Sequence, residues 1–258
     1  MSTILHDLRF AFRVLIKNPG FSLVAVLSLA LGIGANAAIF SFADALFLRP
    51  LPILEPSSVL SINTNLSGLM FNGGNTVSYP NFRDLRDQSH SFESMTAFQL
   101  TTVSVATSTK DLPKVRTGVI ASDNIFHTLG IQPMLGRAFL PEEGTVPGRD
   151  AVVVVGYDFW QNDLARDPSV IGRILRIQGI DFTVVGVTPQ SFNAVDTFFS
   201  PSVFVPVMMS QRLGAGSENP MEVRGNHFYT VKGRLKPGVT LAMAQADLAT
   251  IWSNLQQT

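Results

Sequence analysis

The stretch that decides the reading is Asn18–Ala43, NPGFSLVAVLSLALGIGANAAIFSFA, 26 residues without a single charge between Lys17 and Asp44. As a helix it would run about 39 Å at 1.5 Å per residue, more than the ~30 Å hydrocarbon core of a bilayer. Arg9, Arg13 and Lys17 stand before it against Asp7 alone, and only Arg49 stands just after it. The positive-inside rule therefore places the N-terminus in the cytoplasm and everything beyond Arg49 across the membrane. Ahead of the run, Ile4, Leu5, Leu8, Phe12, Leu15 and Ile16 recur at helical spacing among the three cations. That pattern predicts an amphipathic helix lying in the cytoplasmic interface over residues 1–17.

Two other readings compete for the same run. Ala35-Asn36-Ala37 has the A-x-A form of a signal-cleavage site, but the apolar region is too long for a signal core and continues through Ala38-Ile39-Phe40. An uncleaved anchor over residues 18–48 accounts for it better. Gly32-Ile33-Gly34-Ala35-Asn36-Ala37 also matches the dinucleotide-binding pattern by letter. That chemistry needs a strand before the glycines and a helix after them, which a spanning helix does not offer. Packing explains the small residues instead. Ala30, Gly34 and Ala38 fall at i, i+4 spacing and predict a face that lets a second membrane helix approach closely.

Composition agrees with a chain of two solvents. Of 258 residues 46% are apolar and only 15% charged, with mean hydropathy +0.25. Nineteen basic residues balance nineteen acidic ones, so no basic footprint points to nucleic acid. The absence of cysteine excludes disulfides, thiolate metal sites and cysteine nucleophiles.

Arg49-Pro50-Leu51-Pro52 stops the anchor. Beyond it strands and helices intermix without regular alternation. Strands are predicted over Ser58–Thr64, Ala151–Val155, Arg173–Gln178, Phe182–Val187, Val203–Val207 and Phe228–Leu235, with a loop at Ser67–Asn75. Met95–Thr107 and Pro113–Ala121 alternate well and read as a hairpin. Helices are predicted over Tyr79–Gln88, from the Ser122-Asp123-Asn124 cap to Leu129, over Tyr157–Leu164, and over Leu241–Leu255 after a Thr240 cap. The predicted class is α+β. Val152, Val154, Ile174, Ile177, Val184 and Val187 are expected in the core, and Leu241, Ala244, Leu248, Ile251 and Leu255 form one apolar stripe.

The search for chemistry yields no catalytic, metal or cofactor site. His6, His90, His127 and His227 are scattered, and neither a G-x-S-x-G elbow nor a G-x-x-x-x-G-K-[ST] phosphate loop occurs. Asp84/Asp87 and Glu142/Glu143 read as solvated charges, His227 as strand packing, and Trp160 and Trp252 as core or interface anchors.

Several segments, in this order, carry a family resemblance: LRFAFRVLIKNPGFSLVAVLSLALGIGANAAIFS, SYPNFRDLRDQSHSFESMTAF, FHTLGIQPMLGRAFLPEE, AVVVVGYDFWQNDLARDPSVIGRILRIQGIDFTVVGVTP and VKGRLKPGVTLAMAQADL. Over nearly the whole chain it resembles a MacB/FtsX-type ABC transporter permease: its first span plus the MacB-like periplasmic core domain. The resemblance implies a single N-terminal transmembrane helix followed by a two-lobed mixed α/β extracytoplasmic domain over residues 49–258. One lobe would combine about 56–130 with 226–258, and the other, about 131–225, would be inserted into it.

The resemblance also implies an inner-membrane location and no cofactor. A separate cytoplasmic ABC ATPase would be a partner, as would other permease spans or a second copy. Such permeases re-enter the membrane through further spans, whereas this sequence stops at Thr258. It is expected to be a truncated frame, or to rely on spans from another polypeptide. An anchored binding or scaffold module is the alternative, and an anchored periplasmic enzyme a more distant one.

Overall fold

The computed structural model describes residues 6, 10, 13, 15–43, 53, 55–63, 76–108, 111–192, 200–214 and 221–255. The Arg49–Pro52 stop and the Ser67–Asn75 loop lie outside them. The chain divides into two units, Met1–Pro50 and Leu51–Thr258.

In the first unit, helix α1 runs Pro19–Ala43, 25 residues, and the expected continuation to 48 lies outside the described residues. Its start is dictated locally. Leu15, Ile16 and Lys17 are helical, Asn18 is not, and Pro19 opens the new helix at the position where a missing N–H costs nothing. Ser22 donates its backbone N–H to Asn18 O at 3.0 Å and its Oγ to Leu15 O at 2.7 Å, so the break is bridged. Pro19–Ser41 has a mean hydropathy of 2.2, and its large side chains (Phe21, Leu27, Leu31, Ile39 among them) are exposed within the unit. A helix apolar on every side needs a solvent other than water.

The second unit is built on one nine-stranded mixed sheet. Its strands are β1 (Val59–Ile62), β2 (Phe92–Ala106), β3 (Lys114–Ala121), β4 (Leu135–Gly136), β5 (Val152–Val155), β6 (Ile174–Ile177), β7 (Ile180–Val187), β8 (Val203–Pro206) and β9 (Thr230–Leu235). They lie in the order β1-β9-β2-β3-β8-β5-β7-β4, with β6 pairing β2 and β7 off that path. Among the described residues only β3/β8 and β5/β7 are parallel. Strands from the two ends of the domain (β1, β9, β2, β3) are neighbours, and those of the middle segment are neighbours. The two sets join at β3/β8 and again where Val105 and Ala106 meet Ile177 and Arg176.

Side-chain alternation gives this sheet two apolar faces. Met95, Ala97, Val103, Ile120, Val153, Val203 and Val205 point to the first; Phe98, Val119, Ala121, Val154 and Phe204 point to the second. Helices α2 (Tyr79–Gln88), α4 (Tyr157–Asn162) and α5 (Leu241–Leu255) cover the first face through Phe82, Leu85, Phe159, Trp160, Ala244 and Ile251. Helix α3 (Ile125–Leu129) covers the second through Ile125, Phe126 and Leu129. Both cores draw on the middle segment and on its flanks.

One irregularity reassigns side chains between faces. Val153 pairs with Val184 but Val154 pairs with Gly186, so Val185 is an extra residue in β7. Val184 and Val187 consequently reach the same face although they are three apart, while Val185 reaches the other.

Four expectations are corrected. Ile174 is 48% exposed, because Leu175 and Ile177 are the inward pair in a strand of period two. Leu241 is exposed at the first turn of α5, so the stripe begins at Ala244. Ser122 and Asn124 do not cap α3 through their side chains. Ser122 Oγ accepts from Ala97 N at 3.1 Å and Asn124 Nδ2 donates to Met95 O at 2.7 Å, clamping the helix onto β2. His227 precedes β9 and lies in no strand; Thr76 Oγ1 donates to its carbonyl at 2.9 Å.

Candidate functional site

Ala30, Gly34 and Ala38 lie within α1 and are exposed in their unit. A Cβ placed on Gly32 or Gly34 would meet nothing within 4 Å.

In the second unit, the elements at the two ends of the domain come together. β1 pairs β9 from Val59↔Arg234 to Ile62↔Val231, and α5, which follows β9, packs beside α2. Between them lies a groove of about 570 Å³ walled by Leu60, Ile62, Leu85, Phe92, Leu248 and Trp252, with no charged side chain in its lining. Trp252, expected as an anchor, is half-buried here, while Trp160 is buried and donates Nε1–H to Asp167 O at 2.8 Å.

Asp247 ties α5 to the start of β2. Its Oδ2 accepts from Ser89 Oγ at 2.7 Å and from the N–H groups of His90 and Ser91, each at 3.0 Å. Partial burial pushes the pKa of its carboxyl up, but the Ser89, Ser91 and His90 donors outweigh that and hold it below the ordinary carboxylate range. Helix α2 is fixed from its other side: Ser78 Oγ caps it by accepting from Asn81 N, and Arg224 Nη1 donates to Asn81 Oδ1 and Asp84 Oδ2, each at 2.6 Å.

Buried charge occurs where the sequence predicts solvation. Glu143 is 5% exposed and accepts from Arg137 Nη1 at 3.1 Å and Nη2 at 2.7 Å, and from Leu140 N at 2.8 Å. Glu142, by contrast, is exposed. Arg234 is buried in β9 and donates Nε–H to Thr128 O at 3.0 Å and Nη1–H to Ser58 Oγ at 2.7 Å, joining β9 to α3 and to the turn before β1. Tyr79, packed against Phe82 and Tyr229, has its phenol pushed up to about 12 by burial.

Among the described residues no three His, Cys, Asp or Glu side chains gather as a metal site would require. Asp84 and Asp87 engage Arg224 and Arg86 respectively. What the geometry assembles is, in one unit, a helix long and apolar enough to span a membrane, and in the other a sheet whose entering and leaving elements are fastened side by side.

Comparison with known proteins gives the same architecture. The family model of the MacB-like periplasmic core domain matches residues 22–251. The periplasmic region of MacB from Actinobacillus actinomycetemcomitans is similar in fold with TM-score 0.59 at 14% identity, over 80% of this chain and 87% of that one. The extracellular domain of the noncanonic ABC-type transporter YknZ from Gram-positive bacteria is similar with TM-score 0.53 at 11% identity, over 78% and 94%. No curated protein sequence matches the chain.

Proposed function

Since the chain belongs to the family of MacB-like periplasmic core domains, a domain of ABC transporter permeases, we propose that it is a permease component whose extracytoplasmic domain relays motion driven by a cytoplasmic ATPase. The observation that carries this reading is the fastening of β1 to β9 and of α5 to α2 and the Ser89–Ser91 loop. A displacement delivered to either end of the domain reaches the other without crossing the whole sheet. The apolar helix α1 supplies the membrane attachment, with residues 1–17 in the cytoplasmic interface and residues 49–258 in the periplasm.

On this reading the chain performs no bond chemistry. On the same reading, ATP hydrolysis is the work of an ABC ATPase subunit, as in the permease family. Further permease spans, or a second copy, pack on the Ala30/Gly34/Ala38 face. The domain divides functionally into a membrane-side lobe (about 56–130 with 226–258) and the lobe inserted between them (about 131–225).

The test is co-isolation followed by turnover. The full chain, tagged after Thr258 and purified from its native membrane, is expected to bring an ABC ATPase with it. Co-reconstitution should change that ATPase's rate. An ATPase rate identical with and without the chain would sink the proposal. A tag reached by protease from the cytoplasmic side would overturn the orientation.

A further inference from the structure

At the far end of the β2–β3 hairpin the first face of the sheet is left partly open, and a pocket of about 400 Å³ forms against α4. Lys114 and Arg116 point to the same face as Gly118 and Ile120, since they are spaced by two along β3. The walls are half apolar, from Val105, Leu112 and Phe159, and half charged, from Asp111, Lys114, Arg116 and Asp163. Leu112 is 87% exposed at the rim. The volume falls in the range of small-ligand sites, about 300–1,000 Å³.

The charges are unevenly satisfied. Both carboxylates are engaged: Asp163 accepts from Arg116 Nη2, and Asp111 accepts from Thr107 Oγ1 at 2.6 Å, with Lys114 and Arg173 as further favourable charges nearby. The Arg116 guanidinium lies over the Phe159 ring, 5.9 Å from its centroid, and uses only Nη2. Its Nε is enclosed without an acceptor, and Nη1 donates to none of the described residues. Lys114 is exposed and forms no ion pair among the described residues. Beyond its Asp163 contact the guanidinium keeps Nη1 without an acceptor among the described residues, and with the Lys114 ammonium lining the same pocket an anion is the group that these donors fit.

We propose that this pocket binds an organic carboxylate carried on an apolar body. The carboxylate meets Lys114 Nζ and Arg116 Nη1, and the apolar part lies on Leu112 and Val105. Two sources share that chemistry, the C-terminus of a peptide ending in an aliphatic residue and a short fatty acid. The proposal does not depend on the transport reading, because it concerns the hairpin and α4 alone.

The test uses the full chain in detergent micelles and follows the side-chain Nε–Hε resonance of Arg116, assigned by its disappearance in Arg116→Lys. The probes are N-acetyl-Ala-Leu, its C-terminal amide, hexanoate and inorganic phosphate. Either carboxylate should move the resonance saturably, and the stronger of the two identifies the source. Lys114→Gln, at an exposed position that the fold does not need, should weaken binding about tenfold, the loss of about 1.4 kcal/mol. Three results would overturn the proposal: no shift with either carboxylate, an equal shift with the amide, or an equal shift with phosphate. The last would mean an adventitious ion only.

Discussion

One carboxylate oxygen of Asp247, in the middle of α5, accepts from Ser89 Oγ at 2.7 Å, joining positions 158 residues apart. The neighbouring N–H groups of His90 and Ser91 share that oxygen, so the loop between α2 and β2 takes its shape around a side chain from the end of the domain. Asp247→Ala removes three acceptor contacts and should cost about 1.5–3 kcal/mol, the range for hydrogen bonds to a charged group. The pH dependence follows from the depressed pKa. The contribution is fully present above the unfolded carboxylate value, about 4, and is lost as pH falls through the lower folded value. Thermal denaturation of both proteins should therefore differ at pH 7 and converge in strong acid. A gap of constant size across that range would refute the role.

Gly186 sits where β7 passes β4. A Cβ there would lie 2.2 Å from Arg137 O, a backbone atom that cannot step aside. Gly186→Ala should destabilise the domain by about 1–3 kcal/mol through forced overpacking. Ile174→Ala, at an exposed position, should stay within about 0.5 kcal/mol. Urea denaturation of the two variants should show the contrast, and equal midpoints would contradict the packing.

Burial holds the Tyr79 phenol un-ionised up to about pH 12. Its folded pKa lies above the unfolded value of about 10, so the stabilisation is complete below pH 10 and is lost as pH rises toward 12. Tyr79→Phe should flatten the alkaline decline in stability between those values. Measured melting temperatures that decline equally in both proteins would place the alkaline titration elsewhere.

For the anchor, Gly34→Leu should weaken association with other permease spans, or with a second copy, more than Leu29→Ala does. A branched side chain at Gly34 fills the close-approach surface, whereas Leu29→Ala leaves it open. A membrane two-hybrid readout in which both variants behave alike would remove any special role from the small residues.

Local signals made much of this legible. Pro80 at an early helical position marked α2 at Tyr79–Gln88, and Thr240, whose Oγ1 accepts from Met243 N at 3.3 Å, marked α5 at Leu241–Leu255. The 26-residue uncharged run needed only its length and flanks. What stayed hidden depends on partners distant in the chain. The parallel pairing of β3 with β8 has no local mark. The extra residue at Val185 moves Val187 to the face of Val184, which strict alternation forbids. Nothing local marks Arg234 as buried, since its acceptors lie on α3 and before β1. Glu143 reads as a turn charge, yet Arg137 and the Leu140 N–H surround it once the chain coils into a 3₁₀ turn at Pro141–Gly144.

The antiparallel pairing of β1 with β9 has a mechanical consequence. Val59, where the chain enters, pairs with Arg234, one residue before β9 ends. A tension applied across residues 59 and 235 would load that ladder at one end, opening its hydrogen bonds one after another instead of all at once. A ladder that peels offers little resistance. The force the domain can bear before yielding is then set by the next element along the chain: α5, with Ile251 and Ala244 in the core and Asp247 on the loop before β2.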